Sequence, residues 1–530
     1  MTQISKETKD LILGYQKWQE SLQKKEGVST IHVDEVASKV AAFYEKIRGI
    51  IDWKEEHLIK IGVIERSVRK RIIPKIGVKE EIKVDAESLV LELIRSGHFP
   101  NDKIEESKIA KIQTIINKYI YIIGKHSENV QLIQWLSSIL SCEIEEALTP
   151  SIKEKALMDF MYNKMKASTF LSKDLIEKEG ITEEEKNIQI FINIQRALFD
   201  LDDSIIGYHL IKYKHPNWSK LSDEELKVIS LDIIKIKKDI DYDLDHPLKG
   251  KIGQLCNKYN TPYLILNDII LENPFEAENK IANPALLESL IKKYYEKRLT
   301  NMQSRMVRAG FYSTLSIFIT NIASLLLIEM PVAKYFGQFS NTAYIVDIFV
   351  PTALMAILVL AIDQPPKGNL ERVIMETIKI SYNDEKKEIY EIKRFKKRGP
   401  IFNFFISLIY AVSFILSMSA LYWSLSLINF PPFSYIVFII FLSLIAFAGT
   451  KIRERAKELH MVDQKDGFIA TITDLLALPI ILLGKWLTLR WKKYNIISAV
   501  FNALIDMPLS IFVEFIEQWR YFLQEKKERL

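Results

Sequence analysis

The chain has 530 residues, of which 48% are hydrophobic and 26% charged, and a formal net charge of +5; its length allows two or three domains of the usual ~150 residues. The charge is uneven. Residues 1–300 hold 46 Lys and Arg against 48 Asp and Glu, whereas residues 301–530 hold 26 against 19. A basic excess confined to the apolar part suits membrane insertion and argues against a nucleic-acid-binding face on the polar part.

The N-terminal stretch MTQISKETKDLILGYQKW is charged and has no apolar run of signal-peptide length, so residues 1–300 are expected to stay in the cytoplasm. They read as helix nearly throughout. Val33 to Ile73 carries Val36, Val40, Phe43, Ile47, Ile50 and Ile51 at helical spacing, with Pro74 ending the run. Helix-length patterns follow near 85–96, 105–123, 127–147, 151–171, 185–200 and 222–240. SIKE at Ser151, TEEE at Thr182 and SDEE at Ser222 match the capping box, a hydroxyl three residues before a carboxylate. Pro- and Asn-rich breaks are expected at 214–218, 260–262 and 273–284. From Pro284 a charged helix is expected to run directly into the first apolar segment.

Four segments reach the ~20 apolar residues that a bilayer-crossing helix needs. They run from Gly310 to Met330, from Ala343 to Ile362, from Ile401 to about Ile428, and, after the turn NFPPFS, from Tyr435 to near Gly449. Lys292, Lys293, Lys297, Arg298, Arg305 and Arg308 precede the first segment, and only Lys334 separates it from the second. Ten Lys and Arg, ending in Lys396, Lys397 and Arg398, lie between the second and third segments; none lies in NFPPFS and four lie in KIRERAKELH. Basic loops stay in the cytoplasm, so the alternation places the loop 363–400 and both termini there. Between the basic loops, Asn369 could cap a short helix, and KEIYEIKRF alternates as a strand does.

The C-terminal part is less regular. GFIATITDLLALPIILLG, residues 467–484, contains Asp474 and Pro479. A fifth crossing there would export Lys485, Arg490, Lys492 and Lys493 against the charge rule. Lys485, Trp486, Arg490, Trp491, Lys492 and Lys493 mix aromatic rings and cations as interfacial anchors do. Asn502, Asp506, Ser510, Glu514 and Gln518 form one polar stripe on an otherwise apolar helix. A re-entrant or surface-lying pair of amphipathic helices is therefore expected over 451–530, with a fifth span as the competing reading.

Candidate chemistry is sparse. Asp239, Asp241, Asp243 and Asp245 occupy positions 1, 3, 5 and 7 of a calcium-loop template, but Leu244 replaces its glycine and Gly250 its bidentate glutamate; a solvated helix end is the better reading. His209 and His215 lack zinc spacing, and His57 follows Glu55 and Glu56 on a helical pattern that suits an interhelical histidine. Cys142 and Cys256 lie far apart with no paired Cys or His spacing. The chain carries none of the GxGxxG, GxxxxGK[ST] or GxSxG motifs. No cofactor or metal is implied. Within the apolar segments Asn321 and Asp347 are the polar residues to watch, because ionisable groups in lipid mark ion or proton pathways by default.

DWKEEHL, NFPPFS, AFAGTKIRERAKELH and IDMPLSIFVEFIEQWRYF resemble segments of uncharacterised integral membrane proteins of small-genome, uncultivated bacteria. The resemblance implies a bacterial cytoplasmic membrane and no activity.

The expected fold is all-α. A cytoplasmic helical domain, 1–308, precedes a transmembrane hairpin, 309–362, a basic loop, 363–400, a second hairpin, 401–450, and the amphipathic helices of 451–530. The expected function is a cytoplasm-facing scaffold or assembly platform without a catalytic signature. Its expected partners are membrane lipid, a cytoplasmic protein and a second copy of itself. The alternative is an oligomeric channel or transporter gated by the helical domain.

Overall fold

The structure is a computed structural model describing residues 4–23, 27, 29–33, 56–75, 84–96, 98–336, 341–360, 365–382, 389–393, 399–462, 468–494 and 519. It is all-α apart from two three-residue strands. In chain order the elements are α1 (Lys6–Ser21), α2 (Glu56–Ile72), α3 (Ala86–Arg95), α4 (Ser107–Lys125), α5 (Val130–Leu148), α6 (Ile152–Ser168), β1 (Thr169–Leu171), α7 (Lys173–Glu179), α8 (Glu183–Phe199), α9 (Asp203–Lys214), α10 (Asp223–Leu244), α11 (Lys249–Glu272) and α12 (Ala277–Ala282). Then follow α13 (Pro284–Ser324), α14 (Met330–Phe336), α15 (Asn341–Leu360), α16 (Asn369–Ser381), β2 (Tyr390–Ile392), α17 (Pro400–Ser426), α18 (Pro432–Ala456) and α19 (Phe468–Tyr494).

Local chemistry sets most helix ends. Thr182 and Ser222 close complete capping boxes with Glu185 and Glu225. Ser151 makes no cap bond; its ψ of 60° lies outside the extended region a cap residue needs. Of the long helix expected over 33–73, residues 56–72 are helical and Ile73 opens a 3-10 turn, Val33 is not helical, and 34–55 lie outside the described residues. The break expected at 260–262 does not occur, and Pro262 sits inside α11. A proline there removes one helical hydrogen bond. Flanking contacts hold the turn in place: Asn260 donates to the Ala197 carbonyl at 3.0 Å and Thr261 to the Glu458 carbonyl at 3.2 Å.

Two cores build the helical body. The first is packed from α2 to α5 and α8 to α10, around Ile64, Leu89, Ile116, Leu136, Ile206 and Trp218. Inside it the Lys118 ammonium meets both Glu143 oxygens at 2.7 and 2.8 Å and the Trp218 carbonyl at 3.0 Å. Tyr119 and the Trp218 indole also donate to Glu143. Burial pulls the Lys118 ammonium below its ordinary pKa, against the opposing pull of Glu143.

The second core draws α1, α6, α8, α11 and α13 together with residues from far along the chain: Val373, Tyr382, Ile392, Leu459 and Met461. β2 pairs in parallel with β1, Thr169 opposite Tyr390 and Leu171 opposite Ile392. KEIYEIKRF thus does contain a strand, whereas β1 falls at the end of the expected helix 151–171, where the partner segment captures the backbone.

Among the described residues five helices are long and apolar enough to cross a membrane, the pattern of a membrane protein. They lie in α13, α15, α17, α18 and α19. α13 is a single 41-residue helix started by Asn283, whose side chain accepts from the amides of Ala285 and Leu286. It belongs to the body at one end and to the bundle at the other. Gly310 lets α13 lie directly on Val359 of α15, and Gly484 lets α19 lie on the Ser443 backbone of α18, since a Cβ at either place would collide.

α19 runs antiparallel along α18. Asp474 lies 3.5 Å from Arg453, and Gly484 lies on Ser443. The expectation for residues 467–484 is a re-entrant or surface-lying helix, with a fifth span as the competing reading; the structure instead packs 468–484 along α18 as a bundle member. The striped helix of 501–518 lies outside the described residues.

Two predictions follow from the body. Glu143→Gln leaves the Lys118 charge buried without its partner, which costs about 3–5 kcal/mol; the double change Lys118→Met with Glu143→Leu recovers most of that in denaturant melts. The Glu146 carboxyl is pushed up by burial, but bonds from Lys212 and Tyr208 outweigh this and hold it below 4.5. Its stabilising contribution is present above the unfolded value and is lost as pH falls through the folded one. Thermal melts from about pH 6 to about pH 3 should show a steeper loss in the native protein than in Glu146→Gln.

Candidate functional site: a buried carboxyl pair between apolar helices

Pro351 lies inside α15. A proline has no amide hydrogen, so the carbonyl four residues earlier, that of Asp347, loses its helical donor. The Asn321 side-chain amide of α13 reaches across and donates to the Asp347 carbonyl at 3.3 Å and the Ile348 carbonyl at 3.5 Å. The mid-segment asparagine therefore serves a backbone defect in its neighbour. The pattern repeats in α19, where Pro479 frees the carbonyl of Leu475. Ser413 of α17 donates to that carbonyl, and Ser417 to that of Leu476, each at 2.6 Å.

Beside Asn321 the chain places two acids. After α13 the backbone widens into a π-turn over Leu325–Glu329, a distortion often met at functional sites, and Glu329 is its last residue. Glu329 is 1% exposed, Asp347 2% and Asn321 1%. Ser434, near the start of α18, donates to Glu329 Oε2 at 2.8 Å. The buried side chains of Glu329 and Asp347 are close enough to act on each other. Glu329 Oε1, Asp347 Oδ1 and Asn321 Oδ1 have no N–H or O–H donor among the described residues. Glu329 lies 21 residues past Arg308, about 30 Å along a helix at ~1.5 Å per residue. The pair thus sits at the end of the bundle remote from the helical body.

Of these groups the sequence singled out Asn321 and Asp347, and the structure brings them together. It missed Glu329 and Ser434. Glu329 reads as an ordinary headgroup-level residue before Met-Pro, and Ser434 as part of a turn; the signal that could have found them is the count of carboxylates at the ends of adjoining segments.

The other candidates do not converge. Asp239, Asp241 and Asp243 lie on α10 and Asp245 caps it, so the ladder turns around a helix instead of lining a loop. Asp241 pairs with Lys237 and Asp245 with Lys249, while Asp243 pairs with Lys214 at 2.5 Å. His209 meets Gln195 at 2.6 Å. His215 ends α9, where burial, aided by Lys214, lowers its pKa. His57 lies in α2. Among the described residues no group of three or more His, Cys, Asp or Glu is placed to hold a metal ion.

Of the expected anchors, Lys396, Lys397 and Arg398 lie outside the described residues. Lys485, Trp486 and Arg490 are exposed on α19, with Arg490 over the Trp486 ring at 5.8 Å. Trp491, Lys492 and Lys493 continue that helix.

A second polar junction ties bundle to body. Asn369 does not cap α16: Gly368 holds the cap position at φ 84°. The Asn369 amide instead donates to the Leu459 carbonyl and the Tyr295 hydroxyl, each at 2.8 Å. Its oxygen accepts from the amides of Met461 at 2.8 Å and Val462 at 3.2 Å. One buried side chain thus joins α13, the connection between the hairpins and the segment after α18.

Comparison with family models, with curated proteins and with solved structures finds no match.

The Asn321 assignment predicts a coupled pair of substitutions. Asn321→Val strands a buried carbonyl and costs about 1–3 kcal/mol. In a Pro351→Ala background, where the helix supplies its own amide, the same change costs much less; equal losses in the two backgrounds, read by thermal melting in detergent, would contradict the assignment.

Proposed function

We propose that the chain is a multi-pass protein of the bacterial cytoplasmic membrane whose helical body faces the cytoplasm as a scaffold held in one pose against the bilayer. The observation that carries this reading is the four-bond junction at Asn369. With the β1–β2 pairing and the unbroken α13, it fastens the body to the bundle through three separate parts of the chain. Segments that pack into the body lie on its side of the membrane, so each hairpin begins and ends there. That agrees with the basic clusters. The packing of α19 along α18 favours a fifth crossing, which carries Arg490 to the far side. Here interhelical bonds weigh more than the charge rule, because Ser413 and Ser417 need α19 beside them.

Lipid and a cytoplasmic protein are the partners this role requires. The second reading, an oligomeric channel or transporter gated by the body, draws on the buried acids. Against a shared pore axis, Asn321 and Asp347 are packed within one chain.

Topology is tested by single cysteines and an impermeant thiol reagent. Ser340→Cys, Ser426→Cys and Arg490→Cys should label from outside intact cells and Lys393→Cys should not; Cys142 and Cys256 are buried and give no background. The scaffold role is tested by spin labels at Lys227 and Ser426 of the reconstituted protein. One narrow distance distribution supports a fixed pose, and two populations that exchange with ionic conditions support gating. Asn369→Ala should broaden the distribution, since each buried backbone group it leaves unpaired costs about 1–3 kcal/mol.

A further inference from the structure

The carboxyl pair has a chemistry that a scaffold does not need. Burying two acids side by side carries a desolvation cost that apolar residues would not, so packing alone does not account for Glu329 and Asp347. Two carboxylates in contact in a low dielectric cannot both be ionised. Hydrogen-bond accounting gives the number of protons. Ser434 already serves Glu329 Oε2, and the oxygens without donors are Glu329 Oε1 and Asp347 Oδ1. A single proton between the two groups gives both of these a partner. Independently of the acids, Asn321 leaves its own buried oxygen bare at the same turn of α15, so the site presents three bare acceptors and calls for a positively charged ligand of minimal size.

We propose that Glu329 and Asp347 form a proton-binding site: the pair holds one shared proton at rest and takes up a second from the side of the membrane remote from the helical body. Uptake forms an O–H bond on the carboxylate that the shared proton leaves charged, turning a site of charge −1 into a neutral one; release is the reverse, with the proton passing to water at that end. The groups facing the pair allow this. α13 offers the neutral Asn321, α18 the Ser434 hydroxyl, and α15 the Tyr344 phenol. The cations of that end, Lys334 on α14 and Arg490 on α19, are exposed, and Glu329 is the charge that acts on Asp347. This inference does not depend on the scaffold reading and stands under either topology of α19.

Difference infrared spectroscopy of the full chain in liposomes tests it. At neutral pH the native protein should show the carbonyl stretch of a protonated carboxyl, downshifted in heavy water, and acidification should raise its intensity about twofold. Glu329→Gln and Asp347→Asn should each remove the neutral-pH band while keeping the fold, since an amide can donate to the partner oxygen. Should either variant fail to fold, carboxyl-13C labelling of aspartate or glutamate in the native chain shifts the band and identifies its owner without mutation. A missing band at neutral pH, a band that survives both substitutions, or a band unmoved by either label overturns the proposal. So does a band abolished at constant pH by sodium chloride but not by choline chloride, which would make the occupant a metal cation.

Discussion

A proline within an apolar, lipid-facing helix strands a backbone carbonyl where no water can reach it, and the bundle is organised around two such carbonyls. Pro351 exposes the Asp347 carbonyl and Asn321 covers it; Pro479 exposes the Leu475 carbonyl and Ser413 covers it. Each cover comes from a different helix, so each defect works as a clasp. α15 is held to α13 and α19 to α17 by bonds that can be made in one register only. Apolar side chains contribute little to such specificity, because lipid tails solvate them as well as another helix does. Gly310 and Gly484 bring the backbones close enough for the clasps to close.

The body is built on the opposite economy. Its two cores bury apolar side chains from water, and two of its buried polar clusters, Lys118 with Glu143 and Asn369 with the 459–462 backbone, are saturated. Saturation separates these clusters from the carboxyl pair. Every polar atom around Lys118 has a donor or acceptor to meet, and nothing there invites a ligand. Between α13 and α15 acceptors outnumber donors, and that imbalance marks the pair as the place where a positive charge is wanted.

Much of this was legible in the sequence. Helix positions, the run of α13 into the bundle and the strand in KEIYEIKRF all follow from local patterns of period, cap and charge. What local pattern could not convey was long-range use of a residue. Asn369 stands where a cap would stand, yet its bonds go to backbone ninety residues away. Pro262 looks like a break, and only the packing of Asn260 and Thr261 onto other segments shows why the helix continues. Ser151 has the capping-box spelling without the backbone angle. At the candidate site Asp347 was visible as an acid in an apolar run. Its partner Glu329 was not, because pairing depends on which helix ends meet. For α19 the charge rule and the packing point in opposite directions, since the rule weighs flanking cations and takes no account of interhelical hydrogen bonds.

The second core carries an implication for biosynthesis. Its membership runs from Ile4 to Met461, whereas the first core closes by Leu244. A ribosome has therefore delivered everything the first core needs long before the second can be completed, and in the interval it threads both hairpins into the bilayer. The faces of α1, α6 and α11 that await residues 373–461 are bare throughout that interval, at synthesis speeds of ~5–20 residues per second a matter of tens of seconds. Premature termination anywhere in the hairpins would leave those faces open on an otherwise folded body, so truncated chains of this protein should be strong clients for holding chaperones, and the full chain should release them once residues 373–461 have docked.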